Sequence, residues 1–206
     1  MHIFSTLLFA LSANIDNFTV GIAYGVKKIR IGICSNILIA IFSGIGTFLS
    51  MSIGYFVSRF IPSNVSNLLG SLILIGIGLW FIKSYFFKRI VNQTNKQNSG
   101  GEISKYTDLL DNPCKADIDD SGSIDIKESI TLSLALTINN FGLGIGASIT
   151  GLNIILTTLL TFIFSILAII IGYCLGNSYL SKFFGKYAPL FSSIIIVILG
   201  LYEIFI

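Results

Sequence analysis

Six apolar runs constrain this chain more than any other feature, because a run of about 20 residues crosses a hydrocarbon core as a single α-helix. They cover approximately Ile3–Val26, Ile31–Phe60, Leu68–Phe87, Ser129–Ile149, Leu152–Leu175 and Pro189–Ile206. In lipid every backbone N–H and C=O must be satisfied inside its own segment. The expected fold is therefore all-α, a polytopic membrane protein with six transmembrane helices. Charge agrees with this: 11% of residues are charged, against about 25% in an ordinary soluble domain. The first run has no basic region before it and no small-residue cleavage site, and it contains Asp16, so a retained helix is expected rather than a cleaved signal.

The net charge is +3, but the basic residues do not cluster as a nucleic-acid patch would, and their distribution says more than their sum. Grouping alternate loops puts Lys27, Lys28, Arg30, Lys83, Lys88, Arg89, Lys96, Lys105, Lys115, Lys127, Lys182 and Lys186 on one side and only Arg59 on the other. By the positive-inside rule the long loop is cytoplasmic and both termini lie outside the cell membrane. That loop turns polar after Lys88, and Asn92 to Gly101 reads as flexible linker. Cys34, Cys114 and Cys174 are odd in number, widely spaced and without a C-x-x-C pattern, so they read as free thiols.

A duplication lies within the six runs. Asn14-Ile15-Asp16-Asn17-Phe18 returns as Thr137-Ile138-Asn139-Asn140-Phe141, Ile53-Gly54-Tyr55 as Ile171-Gly172-Tyr173, and Gly78-Leu79-Trp80 as Gly200-Leu201-Tyr202. The order is preserved at offsets of 123, 118 and 122 residues. Three helices have been copied, and because three is odd the second copy enters the membrane from the opposite side. Residues 1–87 and 129–206 thus form two inverted three-helix repeats joined by a cytoplasmic loop at 88–128. Inverted repeats recur in secondary transporters, with the substrate site near midplane where the repeats meet.

The first copied motif puts polar groups where they are costly; Asp at the centre of a membrane helix costs roughly 2.5 to 3.5 kcal/mol. Asn14 and Asn17 share a helix face, with Ser12 and Asp16 on an adjoining one. Asp16, Asn17, Asn139 and Asn140, supported by Asn14 and Thr137, offer one carboxylate and several neutral oxygens. Oxygen donors without His or Cys suit a hard divalent cation such as Mn²⁺, Ca²⁺ or Mg²⁺. Isolated amides in membrane helices usually hydrogen-bond a neighbour, and glycines such as Gly21, Gly25, Gly142, Gly144 and Gly146 are usually packing seams. An intramembrane acid that belongs to a duplicated motif tips the reading toward a site.

The loop carries a second motif. Asp117 to Glu128 fits the twelve-residue EF-hand pattern: Asp117, Asp119 and Ser121 at positions 1, 3 and 5, Gly122 at the sharp turn, Ser123 at 7, Asp125 at 9 and Glu128 at 12. Ca²⁺, or Mn²⁺, is the expected ligand. The helix leaving this loop is the fourth membrane segment itself, and Glu128 precedes Asn139 by eleven residues, about 16 Å of helix. Occupancy of the loop is therefore expected to brace or regulate that helix.

With these residues assembled, the chain resembles the MntP-type manganese efflux pump family, in particular its sporulation YtaF branch, over essentially its whole length. The resemblance implies six helices in two repeats, a cytoplasmic-membrane location, Mn²⁺ export as the family activity and spore formation as the process named for the branch. The chain departs from the family pattern in having Asn139 in place of a second Asp and neither Glu nor Pro between Phe42 and Tyr55. The leading expectation is a secondary transporter for a divalent cation, Mn²⁺ foremost. The alternative is a non-transporting sporulation membrane protein whose loop binds Ca²⁺ or a partner. ATP-driven pumping by this polypeptide is not expected, because no Walker A pattern is present, and neither is an enzyme: the sole histidine is His2, and no H-E-x-x-H or G-x-S-x-G pattern is present.

Overall fold

The computed structural model describes residues 3–91, 109, 112–176 and 181–205; the expected linker at 92–101 lies outside them. Among the described residues seven α-helices carry the fold: α1 (Ile3–Ala13), α2 (Ile15–Lys27), α3 (Ile33–Ser58), α4 (Ser63–Val91), α5 (Ile126–Ile149), α6 (Ile154–Gly176) and α7 (Ser181–Ile204). Because α1 and α2 belong to one 25-residue span, six helices among the described residues are long and apolar enough to cross a membrane. Burial follows the lipid rule rather than the aqueous one: Ser5, Ser71, Thr157 and Ser165 are fully buried, while Ile33, Phe60, Trp80 and Phe87 stand exposed.

Helix limits differ from expectation in several places, α4 running from Ser63 to Val91 instead of from Leu68 to Phe87. The first run is interrupted at Asn14. The fourth helix starts at Ile126 instead of Ser129, because Asp125 and Glu128 form a capping box in which Glu128 Oε2 accepts the Asp125 N–H at 3.0 Å. The last helix starts at Ser181, so Pro189 sits inside it rather than at its beginning. The Pro189 carbonyl accepts a bond from Ser193 Oγ at 2.7 Å, one turn further on.

Helices of the first half pack mainly against helices of the second: α2 on α6, α3 on α5 and α4 on α7. In the α2–α6 seam a Cβ added to Gly21 would stand 2.5 Å from the Ile169 carbonyl oxygen, and one added to Gly172 would run into the Phe18 carbonyl. Only glycine lets these two backbones touch. The α4–α7 seam is reciprocal. A Cβ on Gly78 would meet Val197 at 2.6 Å and the Ser193 carbonyl at 3.1 Å, and one on Gly200 would meet Ile75 at 2.7 Å and the Ser71 carbonyl at 2.9 Å.

The end of the long loop docks onto the α2–α3 connection. After a short 3₁₀ turn at Pro113–Ala116, strand β2 (Ser123–Ile124) pairs in parallel with strand β1 (Arg30–Ile31), Arg30 opposite Ser123 and Ile31 opposite Ile124. Tyr24 Oη donates to the Pro113 carbonyl at 2.9 Å and Ser35 Oγ to the Ile124 carbonyl at 2.8 Å. Ile124 is buried among Val20, Tyr24, Ile29 and Leu132. One loop therefore ties together the ends of α2, α3 and α5.

Candidate functional site

The interruption of the first span has a visible cause. Asn14 Nδ2 donates to the Ala10 carbonyl at 2.7 Å, so its side chain competes for an acceptor that the helix ladder would use. The backbone tightens there: the Asn14 N–H bonds the Leu11 carbonyl three residues back, and α2 restarts at Ile15. Carbonyls at the break then take side-chain partners. Ser192 Oγ donates to the Ser12 carbonyl at 3.1 Å, and Asn140 Nδ2 to the Ala13 carbonyl at 2.7 Å.

Beside the break Asn139 Nδ2 donates to Asp16 Oδ2 at 2.5 Å. Asp16, Asn139 and Asn140 thus come together from two spans separated by more than a hundred residues. Asn14 and Asn17 turn another way. They bond each other at 3.0 Å and lean on α6, Asn14 through the Thr161 carbonyl at 3.2 Å and Asn17 through Ser165 Oγ at 2.8 Å. Asn17 Oδ1 is buried without a hydrogen-bond partner, and so is Thr137 Oγ1. Ser12 bonds the carbonyl and hydroxyl of Ser192 and does not join Asp16.

In the loop, carboxylate oxygens of Asp117, Asp119 and Glu128 lie within 4.8 Å of one another. The backbone shapes this cluster. Gly122 adopts φ +74° and Asp120 φ +52°, and the turn aims N–H groups inward. Asp117 accepts from Ser121 N–H at 3.0 Å and Gly122 N–H at 3.1 Å, while Glu128 Oε1 accepts from Ile118 N–H at 2.7 Å. Hydrogen bonds from the Ser121 side chain and backbone hold the exposed Asp119 carboxyl below its ordinary range. Two expected ligands are otherwise engaged: the Ser123 carbonyl accepts Ser121 Oγ at 2.9 Å, and the Asp125 side chain caps α5. Burial pushes the nearby Cys114 thiol up.

Three polar residues by the break were not singled out from the sequence, Ser43, Thr161 and Ser165, and neither was Glu203, fully buried away from the break in α7, where Asn67 Nδ2 donates to its backbone carbonyl at 2.8 Å. Glu203 did carry a signal, an acid inside an apolar run. The hydroxyls carried none, since Ser and Thr are common in membrane helices.

A family model described as "Putative manganese efflux pump" matches residues 1–82 and 110–204. The chain is 37% identical over 188 residues to "Probable sporulation protein YtaF" of Bacillus subtilis (strain 168), covering 88% of this chain and 89% of that one. It is 25% identical over 201 residues to "Putative manganese efflux pump MntP" of Bacillus mycoides (strain KBAB4), covering 97% and 94%. The same identity extends over 202 residues of the like-named protein of Bacillus thuringiensis (strain Al Hakam). No solved structure matches.

Proposed function

The chain belongs to the manganese efflux pump family whose model spans most of its length, and from that premise we propose that it is a secondary transporter moving a divalent cation, Mn²⁺ foremost, across the cell membrane. The observation that carries this reading is the bond between Asp16 and Asn139, an acid and an amide contributed by different halves and joined beside a helix break. Asp16 supplies the charge, and Asn17, Asn139 and Asn140 supply neutral oxygens, with Asn14 and Thr137 in support. A hard cation takes such a set without sulfur or imidazole. When the cation enters, the Asn139 amide gives up its bond to Asp16 and presents its oxygen instead.

The two halves act as inverted repeats in this reading; the cross-half pairing and the reciprocal Gly78 and Gly200 contacts support it. The lysine and arginine distribution supports a cytoplasmic loop and outward termini. Within the loop, Ca²⁺ or Mn²⁺ binds Asp117, Asp119, Ser121, Ser123, Asp125 and Glu128. Because Glu128 also caps α5, loading the loop steadies the start of the helix that carries Asn139. The decisive experiment is Mn²⁺ flux into proteoliposomes that trap a Mn²⁺-quenched dye. Wild type carries Mn²⁺ and Asp16→Asn does not; equal flux in both removes Asp16 from the path. Equal flux by wild type and an Asp117→Ala, Glu128→Ala double mutant at all Ca²⁺ levels removes the regulatory role.

A second reading has its own support. The docking of the loop onto Arg30 and Ile31, together with similarity to a protein named for sporulation, favours a non-transporting membrane protein that binds Ca²⁺ or a partner through this loop. Absence of flux with retained Ca²⁺ binding selects it.

A further inference from the structure

A cavity of about 10 Å³ lies against the helix break, lined by Ala13, Ser43, Thr47, Thr137, Asn140 and Thr161 among others. That is room for one water-sized sphere. Its polar lining is wholly neutral: one serine, three threonines and one carboxamide. Two of these groups have unused oxygens. Thr161 is 2% exposed and its Oγ1 has no hydrogen-bond partner, and Thr137 Oγ1 is buried without one. Asn17 adjoins through Ser43, with Nδ2 at 3.5 Å from Ser43 Oγ and Oδ1 buried and unpartnered. Ala13 is the last residue of α1, so the partial negative charge of that half-helix ends at the cavity wall.

Neutral oxygens and the C-terminal end of a broken helix suit a small monovalent cation, whereas a divalent one needs carboxylate charge to offset its dehydration. We propose that this cavity binds a monovalent cation of the size of Na⁺ next to the divalent cation at Asp16 and Asn139, the two positions meeting at Asn140 and Thr137 while Thr161, Thr47 and Ser43 belong to the monovalent one, and that this is the coupling ion of the transporter. The coupling role rests on the transport reading; the binding does not.

Thermal unfolding of the full-length protein in detergent, without Mn²⁺, tests the binding. Replacing choline chloride by NaCl at constant ionic strength raises the wild-type midpoint saturably. Thr161→Val matches threonine in shape and loses that shift, and Thr161→Ser, which keeps the hydroxyl, retains it. If the valine variant does not fold, Thr137→Val supplies the same reading. Asp16→Asn keeps the Na⁺ shift and loses the Mn²⁺ shift. No Na⁺-specific shift, or one unchanged in the valine variants, overturns the site and leaves the cavity to a water. In proteoliposomes that carry Mn²⁺, a Na⁺ gradient accelerates wild-type flux and not that of Thr161→Val; indifference of the wild type to the gradient overturns the coupling role. Na⁺ binding with no Mn²⁺ flux refutes the transport reading and leaves the site standing.

Discussion

Asn139→Asp exchanges the donor that sits 2.5 Å from Asp16 Oδ2 for a second carboxylate. Two unit charges about 4 Å apart, at an effective dielectric of about 20, repel by about 4 kcal/mol. The attraction of a divalent cation for both carboxylates offsets that repulsion, so the substitution penalises the empty site far more than the loaded one. At about 1.4 kcal/mol per decade the ceiling is a gain of about 1,000-fold in Mn²⁺ affinity. Because two neighbouring carboxyls also relieve themselves by sharing a proton, a gain of about 10- to 100-fold is expected near neutral pH. Calorimetric titration of Mn²⁺ into the detergent-solubilised protein at low salt measures it, and the unfolding midpoint without metal should fall in parallel. An affinity within twofold of wild type and an unmoved midpoint would refute the juxtaposition of residues 16 and 139 as a metal site.

Other expectations follow from the packing and the loop. Gly172→Ala forces a methyl into the Phe18 carbonyl and should cost about 1 to 3 kcal/mol, whereas Gly76, with nothing within 4 Å of an added Cβ, should gain up to about 1 kcal/mol on the same change; opposite shifts in thermal midpoint check both. Ile124→Ala empties a buried position, 3% exposed, at about 2 to 5 kcal/mol, and amide exchange at Ser123, Ile124, Arg30 and Ile31 should speed up while the α4–α7 seam is unaffected. The depressed Asp119 carboxyl favours the folded loop at pH above its ordinary value of 3.8, and that contribution disappears as pH falls through the lowered value. Amide protection of Ser121 should therefore hold from pH 7 to below 4, and its loss already near pH 5 would contradict the bonding described.

The spans were legible because apolar length is a direct demand of the bilayer. Their ends were less so: α4 and α7 continue past the hydrocarbon into lysine-bearing turns, and hydropathy marks the oily part rather than the helix. The meeting of Asp16 with Asn139 was legible because a copied polar motif in two apolar runs has few other places to go. The break at Asn14 was not, since the same carboxamide serves equally as a ligand or as a competitor for the Ala10 carbonyl, and only the backbone decides. Nor did any pattern announce that Ile124 would dock beside Ile31, because a two-residue bridge between distant loops leaves no periodicity. The hydroxyls of Ser43 and Thr161 looked like any others until the helices brought them to one cavity, and that of Ser165 until it met Asn17.

Anomalous scattering from crystals grown with Mn²⁺ tests the central claim most directly. The account predicts a peak between α2 and α5 at about 2.0 to 2.6 Å from an Asp16 oxygen, the range of hard oxygen-bound cations, lost in Asp16→Asn crystals, whether or not a second peak occupies the loop. A single peak among Asp117, Asp119 and Glu128, with none at Asp16, would contradict it.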